Sequence, residues 1–116
     1  MKLYGIPNCD TVKKARTWLD EHELTYAFHD YKKLGIDAAT LQGWVDQLGW
    51  EVLVNRQGTT WRKLDSARQA SIVDAASAIA LMIEMPSLIK RPVLVVPGRP
   101  LQVGFKPERY AEHFGR

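Results

Sequence analysis

The chain holds one cysteine, Cys9, and its neighbours are of the kinds that make a thiol reactive. Pro7-Asn8 favours a turn, and an amphipathic pattern starts directly behind it, so Cys9 stands where a helix begins. The first turn of a helix presents unpaired backbone N–H groups and the positive end of the helix dipole, and both favour an anion. Lys13 follows one helical turn later, and together these influences lower a thiol pKa from its free value of about 8.5. The bland use of a lone cysteine is as a small buried hydrophobe. A thiol in the turn between a first strand and a first helix is instead expected to react. Cys9-Asp10-Thr11-Val12 has no second cysteine three residues on. Any disulfide formed at Cys9 must therefore be resolved by an external thiol.

The other residues suited to such chemistry are basic. In Pro86-Ser87-Leu88-Ile89-Lys90-Arg91-Pro92, Arg91 precedes a short aliphatic run. Its planar guanidinium suits an oxyanion or carboxylate and would stabilise a thiolate. Pro92 is a candidate cis proline. Arg56 and Lys106 are further loop cations within possible reach, and Asn8, Thr11 and Lys13 flank the thiol. The candidate set is thus Cys9 and Arg91 for chemistry, with Asn8, Thr11, Lys13, Arg56, Pro92 and Lys106 for binding substrate. His22, His29 and His113 show no metal-binding spacing, and Trp61-Arg62-Lys63 is too short to establish a nucleic-acid surface.

These residues sit in a chain of 116 residues, 46% hydrophobic and 25% charged, which suffices for one compact core. Its 16 basic and 13 acidic residues leave a net charge of +3, too modest for a protein whose main task is neutralising nucleic-acid phosphates. No apolar run reaches the roughly 18 residues of a membrane span, and Met1 to Ile6 leads into a strand pattern rather than a signal peptide. A soluble, cytoplasmic, monomeric protein is expected.

The elements that must position the site follow from periodicity. Residues 2–6 read as a strand, and Asp10 to His22 as a helix with Val12, Ala15, Leu19 and His22 on one face and Trp18 beside it. Leu24 to Tyr31 alternates like a half-buried strand, parallel to the first. Asp37 as N-cap and Gly49 as stop bracket a second helix with Leu41, Trp44, Val45 and Leu48 at helical spacing. Asn55 to Thr60 reads as a loop, and Asp65-Ser66 opens a short helical turn. Val73 to Glu84 reads as a helix with a stripe of Val73, Ala76, Ile79, Ala80 and Ile83, ended by Met85-Pro86. Val93 to Val96 is a buried central strand, Leu101 to Phe105 its partner, and Pro107 starts a last helix through Phe114. The order βαβ, helical insert, ββα predicts an α/β, thioredoxin-like fold with a four-stranded mixed sheet. Its core would be residues 1–34 and 87–116, and its all-helical insert residues 35–86. In that topology Arg91 lies next to the cysteine turn.

The assembled motifs resemble the arsenate reductase-like family, which includes the Spx transcription regulators and the YffB-type proteins. The resemblance spans the chain and rests on Leu3 to Ala15, His29-Asp30-Tyr31-Lys32, Asn55 to Trp61, Pro86 to Pro92 and Val103-Gly104-Phe105. The YffB-type branch is the most similar. The resemblance implies a nucleophilic cysteine at Cys9, an arginine that binds substrate or thiolate at Arg91, and a cis proline at Pro92. In arsenate reductases the cysteine attacks arsenate, and glutathione with glutaredoxin completes the reduction. Where those enzymes have a histidine before the cysteine loop and a serine after it, this chain has Gly5 and Val12, and their other two arginines match Asn55, beside Arg56, and Lys106. The resemblance therefore implies a glutathione-dependent thiol reductase, with no bound cofactor and glutathione as co-substrate. The alternative it offers is an Spx-like RNA polymerase-binding regulator without turnover, although Spx proteins typically carry a two-cysteine switch.

Overall fold

In the computed structural model, which describes residues 1–116, β1 (Lys2–Gly5) leads through the Cys9 turn into α1 (Asp10–Glu21) and then β2 (Ala27–Asp30). Next come α2 (Tyr31–Leu34), α3 (Ala38–Leu48), α4 (Trp50–Leu53), α5 (Thr59–Arg62), α6 (Ser66–Ala70), α7 (Ala75–Glu84) and a 3₁₀ turn (Pro86–Leu88). β3 (Val93–Val95), β4 (Gln102–Val103) and α8 (Pro107–Phe114) close the chain. The strands form one mixed sheet in the order β2-β1-β3-β4, with β1 parallel to β2 and antiparallel to β3. The α/β fold class, the four-stranded mixed sheet and the βαβ…ββα order are those expected.

By internal packing the chain divides into residues 1–31 with 91–116, and residues 32–90. The hand-over falls after Tyr31 and before Arg91, rather than after residue 34 and before residue 87.

In the first unit, α1 buries Val12, Ala15 and Leu19 as their spacing predicts, together with Trp18, whereas His22 is the C-cap and half-buried, stacked on the Trp18 ring. Ala15, Trp18 and Leu19 join Leu3 of β1, Leu94 of β3 and Tyr110 of α8 in one core. Tyr110 meets Trp18 and Phe105 edge-to-face, at centroid separations of 5.5 and 4.7 Å, which ties the last helix to the first. Pro107 at the start of α8 and left-handed Gly115 at its end set that helix where the sequence predicts. β1 ends on a glycine. A Cβ on Gly5 would lie 2.9 Å from Cγ2 of Val12, closer than van der Waals contact, so a side chain there would force Val12 to shift.

β1 and β3 each end one residue earlier than expected, and the other two strands differ more. β2 starts at Ala27 rather than Leu24, because α1 ends in a tight turn in which the Leu24 N–H bonds to the Leu19 carbonyl and Glu23 adopts a left-handed φ of 56°. Its other end also moves, since Tyr31 already belongs to α2. β4 covers only Gln102–Val103 because Gly104, at φ 78°, turns away and its N–H bonds to the Pro92 carbonyl at 2.9 Å.

In the second unit, Asp37 caps α3 through the Thr40 N–H, and Gly49 ends it at a φ of 85°. The loop after α4 is shorter than Asn55–Thr60, since the Gly58 carbonyl accepts from the Arg62 N–H and makes Thr59 the first residue of α5. Residues 35–86 are not purely helical, as Val54 forms an isolated antiparallel bridge with Ile89. The larger correction concerns α7. A capping box between Asp74 and Ser77 starts it at Ala75 and leaves Val73 outside and 70% exposed. Its buried face is Ala78, Ile79, Leu81 and Met82, whereas Ala76, Ala80 and Ile83 are exposed. The segment is apolar on nearly every side, so spacing alone does not choose a face. No helix of the chain is long and apolar enough to cross a membrane.

The close approach at Gly5 is open to a double-mutant test. Gly5→Ala should lower stability by about 1–3 kcal/mol in urea unfolding through overpacking against Val12. Made in a Val12→Ala background, the same change should cost markedly less. Equal costs in both backgrounds would show that Gly5 is not held by this contact.

Candidate active site

Cys9, Arg91 and Tyr31 come from three separate segments of the first unit, and the sheet register explains why they meet. β1 delivers the chain to the turn Ile6-Pro7-Asn8, and Cys9 follows in extended conformation (φ −138°) as the N-cap of α1. Arg91 precedes β3, whose Val93 pairs with Tyr4 of β1. Tyr31 follows β2, whose Asp30 pairs with Gly5. All three therefore stand at the same end of the sheet, beyond the last residue of β1.

Cys9 is half-buried, and its carbonyl accepts the Lys13 N–H at 2.9 Å, the first intrahelical bond of α1. Its sulfur is larger than the oxygen of an ordinary capping side chain, and no regular capping bond forms. The Val12 and Thr11 N–H groups nevertheless face the sulfur and favour its ionised form, as does the side chain of Arg91. Burial alone would raise the thiol pKa. The Val12 N–H, the hydrogen bond and charge of Arg91, and the Thr11 N–H outweigh it and hold Cys9 below the ordinary thiol value. Arg91 is stabilised as a cation in return. Its own burial works against the charge, and its interactions with Cys9 and Tyr31 more than compensate.

The Arg91–Pro92 peptide bond is cis, as the sequence suggests. Pro92 is buried, and its carbonyl accepts the Gly104 N–H at 2.9 Å. Asn8 and Thr11 are exposed beside the thiol, and Thr11 contributes its backbone N–H. The groups acting on the sulfur are those of Val12, Arg91 and Thr11. Lys13 instead lines a shallow apolar cleft along α1 with Thr17, Trp18, Phe105 and Pro107. Lys106 is the N-cap of α8, its carbonyl accepting from the Arg109 and Tyr110 N–H groups. Arg56 belongs to the second unit, where its guanidinium lies over the Trp50 ring at 5.2 Å from the centroid.

Tyr31 was not among the residues singled out by type and spacing. It is fully buried, and its phenol is hydrogen-bonded to Arg91. Its place in the His29-Asp30-Tyr31-Lys32 motif was the available signal, but a tyrosine closing a half-buried strand reads as packing.

Together these groups favour the ionised form of Cys9, with a cation beside the sulfur and part of its surface open to solvent. Such a centre suits nucleophilic attack on sulfur or on an oxyanion. Residues 4–113 match the model of the ArsC family. Among solved structures, the YffB protein is 56% identical with a TM-score of 0.90, covering 97% of this chain and 96% of its own. An arsenate reductase (ArsC) related protein from Brucella melitensis is 53% identical with a TM-score of 0.76, covering 99% and 94%. The global transcriptional regulator Spx of Enterococcus faecalis is 27% identical over 93% of this chain and 81% of its own length.

Alkylation of Cys9 by iodoacetamide across pH separates the groups acting on the sulfur. The rate follows the thiolate fraction, so it rises as pH passes upward through the Cys9 pKa. With that pKa lowered, the wild-type curve should lie to the acid side of a free thiol. Arg91→Ala should move it toward higher pH and slow alkylation several-fold near neutrality, and Lys13→Ala should leave it in place.

Proposed function

The chain belongs to the ArsC family, and on that premise we propose that it is a glutathione-dependent thiol reductase working through one nucleophilic cysteine. The observation that carries the reading is the Cys9 sulfur, half-exposed, faced by the first N–H groups of α1 and by Arg91, with its pKa held down. The Cys9 thiolate attacks one sulfur of a substrate disulfide. The new S–S bond forms as the old one breaks, and the second sulfur leaves as a thiolate that takes a proton from water. A glutathione thiolate then attacks the Cys9 sulfur of the mixed disulfide, so that the remaining substrate sulfur leaves as a thiolate and takes a proton while Cys9 holds glutathione. A second glutathione thiolate attacks the glutathionyl sulfur and releases Cys9 as the thiolate, so the two electrons come from two glutathione thiols, which leave as their disulfide. In this proposal glutaredoxin is a second donor for the resolving step. The setting is taken to be cytoplasmic, where glutathione is kept reduced.

A sulfur substrate suits this site better than arsenate. The two positions at which arsenate reductases have polar side chains are Gly5 and Val12, both buried, with a Val12 methyl against the α-carbon face of Gly5. No side-chain donor reaches an oxyanion from either position. Lys106 keeps a charge where those enzymes have arginine, without the bidentate fork. Oxidised glutathione at mild pH should add one glutathionyl group to Cys9 by mass spectrometry, reduced glutathione should remove it, and Cys9→Ser should take up none. Failure of the wild-type protein to form the adduct would end this reading.

A second reading is favoured by the similarity to Spx along most of the chain: a regulator that binds RNA polymerase without turnover. Purified polymerase retained by wild type and Cys9→Ser alike would support it, and no retention by either would remove it.

A further inference from the structure

The guanidinium of Arg91 has two neighbours at the site, and only one of them is the thiol. The other, Tyr31, is fully buried and has no access to substrate. Strand register brings it there. Gly5 pairs with Asp30 in the parallel direction, so Tyr31 lies one step beyond, level with Ile6. Tyr4 pairs with Val93 in the antiparallel direction, so Arg91, two residues before Val93, is also level with Ile6. Tyr31 and Arg91 thus flank the outgoing end of β1 from its two neighbouring strands, roughly 9–10 Å apart at two strand spacings. A tyrosine and an arginine side chain bridge that distance, and the chain leaving β1 between them carries Cys9 three residues later.

We propose that Tyr31 is a positioning residue for Arg91: its buried phenol oxygen accepts a hydrogen bond from the guanidinium and fixes it on the Cys9 sulfur without cancelling its charge. The inference rests on the reading of Cys9 as an activated thiol. The residue type is what makes the arrangement effective. A carboxylate at position 31 would orient the guanidinium equally well, but as an anion it would compete with the thiolate for the same cation. A phenol orients it and stays neutral. Burial pushes Tyr31 well above the ordinary phenol range, against the opposing pull of Arg91, so at neutral pH no negative charge forms behind the guanidinium. The planar fork of arginine also matters, since one ion must face an oxygen and a sulfur in fixed directions, which the point charge of lysine does not do.

Thiolate absorbance titration of wild type, Tyr31→Phe, Arg91→Ala and the double variant tests this, with thermal melts to confirm folding. Tyr31→Phe keeps the ring and removes the acceptor. It should move the Cys9 midpoint to higher pH and slow alkylation several-fold near neutrality, and in the Arg91→Ala background it should add no further shift. A tyrosine needed only for packing would lower the melting temperature and leave the midpoint in place. If the wild-type midpoint is low and Tyr31→Phe does not move it, or moves it equally without Arg91, the inference is overturned and the activated thiol stands. A wild-type midpoint at the ordinary thiol value removes both. Should Tyr31→Phe not fold, Arg91→Lys gives the second measurement. A midpoint raised nearly as far as in Arg91→Ala supports a fixed fork, and one unchanged from wild type overturns it.

Discussion

The site depends on a contest at one sulfur atom. Partial burial of Cys9 disfavours the thiolate, because a charge taken from water loses hydration that only fixed dipoles or a counter-ion replace. The fixed dipoles are the first N–H groups of α1, which have no carbonyl of their own to bond, and the counter-ion is Arg91. Neither is mobile solvent, so the stabilisation is present before any substrate arrives. The half-burial that opposes ionisation also weakens screening of the Arg91 charge, so the cation gains effect from the same environment that makes it necessary.

The rest of the first unit keeps those dipoles and that cation in register. α1 is held to the sheet by Val12, Ala15, Trp18 and Leu19, and Trp18 packs edge-to-face with Tyr110 in the same core. The absence of a side chain on Gly5 lets Val12 descend onto β1, which brings the start of the helix, and the sulfur with it, down to the end of the sheet. Arg91 reaches the same place because β3 runs against β1, so its first residue is level with the last residues of β1. Helix packing and strand direction therefore act as one constraint.

Much of this was legible where single residues punctuate the chain. Asp37, Gly49, Pro107 and the Cys9 turn each force a local conformation, and the elements they bound fall where expected. Arg91 was legible as well, because mixed-sheet topology leaves one place for the segment before a central strand. Legibility failed where the residues are locally uninformative. Ala75 to Glu84 is apolar on most of its surface, so its buried face is chosen by partners distant in sequence. Lys13 has the right charge one turn from the thiol, yet its side chain lies along the helix face bordering the Trp18 cleft. Tyr31 depends on a hydrogen bond between residues sixty positions apart, roughly, and no local pattern encodes it.

Val12 also decides how the chemistry must finish. A second cysteine three residues after the first would occupy its position, one turn into α1, where intramolecular release of a mixed disulfide becomes possible. Here that position is filled by a side chain with no exposed surface, wedged over Gly5 and committed to holding the helix on the sheet. The residue that fixes the nucleophile in place thus takes the position a resolving thiol would need. In the proposed chemistry the adduct on Cys9 waits for a sulfur from outside, and its lifetime is set by the concentration and access of that second thiol rather than by the fold.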